Sequence, residues 1–196
     1  FYKNKKVLIT GHTGFKGSWL TQWLLNLGSS VIGISKDIPS RPSMYEILDL
    51  KRDMKSIFFD IVETEKLLEV ILKEKPQVIF HLAGQPIVSE SYSNPLGTIS
   101  DNVLGTASLL DCFSKISWKC TSVIITSDKC YRNVEKKAGY IEDDILGGKD
   151  IYSGSKGAAE LIIKSYFDSF IESKKNLSLS IARAGNVIGG GDWAKD

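Results

Sequence analysis

Apolar runs of strand length alternate along this chain with longer segments whose apolar residues recur every three or four positions. The first run, KVLIT at 6–10, leads into a segment at 15–27 where Trp19, Leu20, Trp23, Leu24 and Leu27 share one helical stripe. A second run, SVIGI at 30–34, precedes a polar loop holding Pro39 and Pro42. A third, IFF at 57–59, precedes an amphipathic segment from Glu63 to Lys75 that Pro76 stops. QVIFHLA at 77–83 reads as a buried strand; a loop with Pro86 and Pro95 follows, then a helical stretch from Leu96 to Lys115. SVIIT at 122–126, a long loop to about Asp150, a helix from Ser153 to Ser173 and LSLSIA at 177–182 complete the series. Six continuous apolar runs joined by helical crossovers predict a parallel sheet covered on both faces, the doubly wound α/β arrangement. Neither a short-period repeat nor a Gly/Ser linker divides the chain, so residues 1–196 are expected to form one domain.

Charge removes some functions. With 25 basic and 23 acidic residues the formal charge is +2, and the longest basic cluster is KNKK at the start, so the electrostatic case for binding nucleic acid is missing. No apolar stretch approaches the roughly 20 residues that cross a bilayer, and the beginning has no signal-peptide pattern, so a cytoplasmic protein without a membrane partner is expected. Cys112, Cys120 and Cys130 are odd in number and not spaced for zinc; they are expected to be buried, reduced thiols, and no metal site is expected. A first residue that is Phe rather than Met points to a piece of a longer chain.

The first strand runs straight into TGHTGFKG, with Gly11, Gly14 and Gly17 at three-residue spacing, and then into a helix. In that context the glycines serve a tight turn, close approach of a pyrophosphate, and close packing of helix on strand, while the helix N-terminus offers free N–H groups to the anion. This is a dinucleotide signal. Asp37 lies 20 residues after Gly17, where an acidic residue would meet the adenosine ribose, but it also reads as a solvated loop charge; the adjoining Lys36 leaves a 2′-phosphate open. Asp60, after the third run, is either a second cofactor contact near the adenine edge or a capping carboxylate for the Glu63 helix.

Tyr152 and Lys156 lie four residues apart at the start of a helix, hence on nearly the same face. An ammonium beside a phenol favours the phenolate, making Tyr152 a candidate base for a hydroxyl proton near neutral pH while Lys156 also holds a ribose. His12, in the glycine turn, and His81, inside a buried run, are expected to be structural.

With the TGxxGxxG turn, the YxxxK pair, HLAGQP at 81–86, Asn102 in NVLGT and TSDKCY at 126–131, the whole chain resembles the extended short-chain dehydrogenase/reductases that act on nucleotide sugars. Within them GHTGFKGSWL, TSDKCYRN, GGKDIYSGSK and ARAGNVIGGGDWA are similar to the 4,6-dehydratase branch that acts on CDP-glucose. The resemblance implies NAD on a Rossmann fold, held by Gly11, Thr13, Gly14, Phe15, Gly17, Ser35, Asp37, Asp60, Ile61, Leu82, Ala83, Gly84, Asn102, Tyr152 and Lys156. It implies that Tyr152 removes the sugar's 4-hydroxyl proton as a hydride leaves C4, after which Asp128 acts as acid at the C6 hydroxyl and Lys129 as base at C5, the reverse assignment staying open. Lys129 would need a depressed pKa from burial or from a cation such as Lys156. Thr126 or Ser127 would bond the 4-hydroxyl, Ser127 being preferred. Gln85 and Asn186 would meet the nicotinamide side or the sugar diphosphate, or else brace their loops. Segments 96–115 and 153–173 resemble the helices through which the family forms homodimers by a four-helix bundle.

Some features depart from the family. A smaller C-terminal substrate domain is expected beyond residue 196, Ser89 stands where a basic residue is usual, and Ile151 replaces a commoner proline. A nucleotide-sugar 4-epimerase shares the turn, the Tyr-Lys pair and NAD but has no use for the Asp128-Lys129 pair; a non-catalytic NAD-binding module would use the turn alone.

Overall fold

A computed structural model describes residues 1–193. In chain order the main elements are β1 (Lys6–Thr10), α1 (Phe15–Asn26), β2 (Ser30–Ser35), α2 (Met44–Ile47), β3 (Lys55–Phe58), α3 (Thr64–Glu74), β4 (Val78–His81), α4 (Val88–Ser93), α5 (Pro95–Ile99), α6 (Gly105–Phe113), β5 (Cys120–Ile125), α7 (Ile151–Tyr166) and β6 (Leu177–Ala182). The six strands form one parallel sheet in the order β3-β2-β1-β4-β5-β6, the Rossmann order, with a reversal between β1 and β4 where the crossovers change face. Val7 pairs with Val31 on one side and Val78 on the other.

Alternation along the inner strands feeds two cores. Leu8, Ile32, Ile34, Ile79 and Ile124 face Leu67 and Ile71 of α3, Leu109, Leu110 and Phe113 of α6, and Ile163 of α7. Val7, Ile9, Val31 and Val78 face the other way, with Leu24 of α1 and Tyr45 of α2. β1 is therefore buried on both faces, as its unbroken apolar run predicts. β6 departs from that expectation: in LSLSIA, Ser178 and Ser180 alternate outward and are exposed, so one face of the edge strand is open among the described residues.

The stripe expected to bury α1 is also corrected. Trp23 is 66% exposed, and Trp19 and Leu27 are exposed too, while Gly17, Ser18, Thr21 and Leu24 face the sheet. Close approach explains the exchange. A Cβ on Gly17 would lie 2.0 Å from the Gly11 carbonyl oxygen, so the helix docks through its smallest side chains and turns its tryptophans outward. Gly11 is constrained twice, by φ +78° and by a Cβ position 2.7 Å from the Ala83 nitrogen.

Further differences are local. The proline-bearing loop after β4 contains α4, a six-residue helix. The stretch expected as one helix from Leu96 is α5, a π-helical turn at Ser100–Leu104 and α6, with the Gly105 N–H bonded to the Ser100 carbonyl. α7 begins two residues early, because the Asp150 carboxylate caps it by accepting from the Ser153 N–H at 2.8 Å. The three cysteines are buried and free, with burial pushing each thiol up to about 12. No helix among the described residues is long and apolar enough to cross a membrane.

Gly17→Ala tests the docking of α1. Alanine inside a helix ordinarily gains up to about 1 kcal/mol over glycine, but overpacking against an immovable carbonyl costs roughly 3 kcal/mol and outweighs it. The urea midpoint should fall with an unchanged m-value.

Candidate active site

The carboxyl ends of the strands open on a cleft of about 1370 Å³. Its floor is the glycine turn, where Gly11, Thr13, Gly14, Phe15 and Gly17 line the wall. Thr13 is tied down by its N–H to Ser35 Oγ (3.3 Å) and by its hydroxyl to the Asp37 carbonyl (2.6 Å). A Cβ on Gly14 would touch only the Gly11 carbonyl oxygen, at 3.5 Å, which leaves the cleft side free. The first turn of α1 has no side-chain cap and no acidic residue, and it carries Lys16. Uncapped N–H groups, a positive helix end and a cation together fit the pyrophosphate of a dinucleotide.

Beyond β2 and β3 the wall continues with Ser35, Asp37, Asp60 and Ile61, and beyond β4 with Leu82, Ala83, Gly84 and Gln85. Asp60 does not cap α3; its Oδ1 accepts the Val62 N–H at 3.2 Å. Lys36 pairs with Asp101 at 2.6 Å. The Gln85 amide donates to the Ile87 carbonyl (2.8 Å) and Thr98 Oγ1 (2.9 Å), so its two N–H groups brace the loop. His12, near 4, and His81, near 3, are held neutral by burial, with the Lys156 charge adding to the effect on His81. His81 bridges Thr10 and Thr106.

The reactive end gathers Ser127, Lys129, Tyr152, Lys156 and Asn186 along one wall. Ser127 caps the short Asp128–Cys130 turn, accepting the Lys129 N–H and donating to Asp128 Oδ1, both at 3.2 Å. Lys129 Nζ lies 3.6 Å from Asp128 and donates to Asn186 Oδ1 at 3.1 Å. The Asp128 side chain, 55% exposed, stands at the rim rather than in the wall, and Lys129 is 39% exposed with an anion beside it. Of the two aids considered for Lys129 as a base, burial and a neighbouring cation, burial is therefore incomplete.

Asn102 is not part of the wall either. It is 2% exposed behind it, accepting from Lys156 Nζ (3.3 Å) and the Gln85 N–H (2.9 Å) while donating to Ser155 Oγ (2.9 Å) and the Gln85 carbonyl. It sits in the π-helical turn, a geometry that often marks functional positions.

The expected low pKa of Tyr152 is corrected as well. Burial raises it; a Ser127 hydrogen bond opposes this, and the charges of Asp128 and Asp150 add to it. The Lys156 ammonium lies 5.8 Å from the ring centroid. Lys156 is lowered to about 8, by burial first and then by Lys16, a cleft residue that motif reading passed over.

A second group escaped sequence reading. Glu160, 2% exposed, accepts the Thr126 hydroxyl at 2.6 Å and the Arg183 guanidinium through both oxygens. Its spacing from Tyr152 and Lys156, four residues further along the same helix face, was the available signal. Among the described residues no cluster of His, Cys, Asp and Glu is arranged to hold a metal ion.

These features coincide with a known family: residues 8–183 match GDP-mannose 4,6 dehydratase, and the chain belongs to that family. It is 47% identical to the CDP-glucose 4,6-dehydratase of Salmonella typhimurium, covering all of this chain and 56% of that protein. DesIV, the dTDP-glucose 4,6-dehydratase of Streptomyces venezuelae solved with NAD and TYD bound, superposes with TM-score 0.82 at 22% identity over 95% of this chain and 57% of that one. A UDP-glucose 4-epimerase of Thermotoga maritima, solved with UDP-glucose, gives TM-score 0.81 at 22% identity, again over 95% and 57%. Likeness at that identity shows the fold. The chain spans about half the length of these relatives.

Because the folded pKa of Lys156 is below its unfolded value, the unfolded chain binds this proton more tightly between pH 8 and 10.5. The stability associated with neutral Lys156 is present above that window and is lost as pH falls through it. Wild type should therefore gain on the order of 2 kcal/mol relative to Lys156→Met as pH rises from 8 to 10.5. Parallel urea titrations of the two proteins check the sign.

Proposed function

We propose that the protein carrying this chain converts CDP-glucose to CDP-4-keto-6-deoxyglucose, and that residues 1–196 form its NAD-binding Rossmann domain with the catalytic groups. The observation that carries this reading is the Asp128-Lys129 pair, held by Ser127 at the end of the cleft where Tyr152 and Lys156 also lie. Removal of water across C5 and C6 needs an acid and a base side by side; a 4-epimerase, which only inverts C4, does not.

NAD, when bound, supplies the acceptor and donor for one hydride and a positive ring that favours a nearby phenolate. Tyr152 takes the proton of the 4-hydroxyl, with Ser127 and Lys156 stabilising the phenolate. Lys129 takes the C5 proton, acidified by the new C4 ketone. Asp128 gives a proton to the C6 hydroxyl, which departs as water, and Lys129 gives its proton back to C5 as the hydride taken from C4 returns to C6, leaving the 4-keto-6-deoxy sugar. Lys156, anchored by Asn102, would also hold the nicotinamide ribose.

CDP-glucose follows the 47% identical relative, and NAD follows the family and the fit of the glycine turn. Leu104 on the π-helical turn (55%) and Leu161 on α7 (58%) are exposed and support a homodimer in which these helices form a four-helix bundle. Three buried, free thiols suit the cytoplasm.

Incubating the full-length protein with NAD and CDP-glucose should yield the 4-keto-6-deoxy sugar, identified by NMR; formation of only a C4 epimer overturns the assignment. Tyr152→Phe should lower kcat by about 10³-fold while CDP-glucose binding, followed by calorimetry, stays near wild type.

A further inference from the structure

The buried ion pair behind the cleft connects the segments that carry the chemistry. Arg183 Nε lies 2.9 Å from each Glu160 oxygen, and its Nη1 donates to the Tyr131 hydroxyl at 2.7 Å, with the guanidinium carbon 4.6 Å from that ring's centroid. Glu160 in turn accepts the Thr126 hydroxyl at 2.6 Å. Thr126 and Tyr131 flank the Ser127–Cys130 segment. Its backbone is held to the same strand exit, because the Thr126 N–H donates to the Ala182 carbonyl and the Asp128 N–H to the Ala184 carbonyl, both at 3.0 Å, on either side of Arg183. Past that point the acid-base pair approaches the same strip of chain: a Cβ on Gly185 would meet Asp128 Oδ2 at 3.4 Å, and Lys129 bonds Asn186.

Neither Glu160 nor Arg183 borders the cleft, so neither can touch a substrate there. Packing alone does not require them, since apolar residues of similar volume commonly replace a buried pair without loss of stability. A forked guanidinium on a carboxylate does what an apolar contact cannot: it fixes angle as well as distance. We propose that Glu160 and Arg183 are positioning residues that hold the Asp128-Lys129 turn in register with α7, and so act on the elimination stage of the reaction. This rests on the dehydratase reading above.

The two stages separate the effect. Removal of hydride from C4 uses Tyr152 and Lys156 with one group of the turn, Ser127, and the helix start that carries the first two is also held by the Asp150 cap and Asn102. Elimination uses Asp128 and Lys129. A displaced turn therefore slows elimination, which takes both its acid and its base from the turn, more than hydride removal, which takes only Ser127 from it, and reduced nicotinamide builds up during turnover. Arg183→Lys keeps the charge but loses the fork; Tyr131→Phe removes one hydroxyl and keeps the ring. In the full-length enzyme with NAD and CDP-glucose, Arg183→Lys should lower kcat roughly 10²-fold and Tyr131→Phe roughly tenfold, with KM changed less than about twofold. Stopped-flow absorbance should show reduced nicotinamide accumulating in both variants above the wild-type level. Wild-type kinetics in the variants, or equal loss of hydride removal and elimination, overturns the positioning role. If Arg183→Lys does not fold, Tyr131→Phe decides. Wild type that forms no 4-keto-6-deoxy product instead overturns the dehydratase reading, and the positioning role with it.

Discussion

Six strands that all run the same way must place their carboxyl ends on one edge of the sheet, and every group discussed above depends on that edge. A parallel strand pair cannot be closed by a tight turn, so each strand is followed by a crossover whose first residues emerge at the same rim. The glycine turn after β1, Ser35 and Asp37 after β2, Leu82 to Gln85 after β4, Ser127 and Lys129 after β5 and Asn186 after β6 thus meet in one cleft although Gly11 and Asn186 lie 175 positions apart in the chain. Little room is left between Gly17 and the Gly11 carbonyl, where an added Cβ would come within 2.0 Å of the oxygen. A larger side chain there would push α1 away, and with it the N–H groups that form the cleft floor.

Within that frame the reactive end is held under electrostatic tension. Lys156 keeps its ammonium in a half-buried place with Lys16 as a second cation, and its pKa falls to about 8; Asn102 offers it a carbonyl oxygen but no countercharge. Tyr152, buried and near two carboxylates, is held toward the neutral phenol. Each group is disfavoured in the form the proposed chemistry needs. A cationic ring beside the phenol would favour the phenolate and an anionic diphosphate near the lysines would favour the ammonium, so the cleft suits a charge pattern that ligands complete.

The sequence was most informative where one local rule decided the structure. The Gly11-Gly14-Gly17 spacing, the four-residue Tyr-Lys step and the unbroken apolar run of β1 each follow from the geometry of a single element. It was least informative where two elements compete for one surface. The α1 stripe followed hydrophobicity, whereas contact with Gly11 selected small residues and left Trp23 66% exposed. LSLSIA groups with the buried runs by its apolar content, although its alternating serines carry the signature of a half-covered strand. Asn102 lies behind the cleft because a π-helical turn, invisible to 3.6-residue counting, reorients the backbone there. Glu160 needed only the Tyr152-Lys156 step repeated once; its partner Arg183 comes from another strand's exit, and no spacing rule connects the two.

Charge also bears on which dinucleotide the cleft suits. Asp37, Asp60 and Asp101 gather around Lys36, which is already bound to Asp101 at 2.6 Å, while Lys16 stands at the uncapped helix end. A dinucleotide laid across the turn would put its pyrophosphate at that helix end and its adenosine ribose by the carboxylates. A ribose 2′-hydroxyl can donate a hydrogen bond to a carboxylate; a 2′-phosphate would bring nearly two negative charges beside three others, with the nearby lysine already engaged. The lysine next to Asp37, which in the sequence alone left the phosphorylated cofactor open, therefore argues for the unphosphorylated one once its partner across the cleft is known.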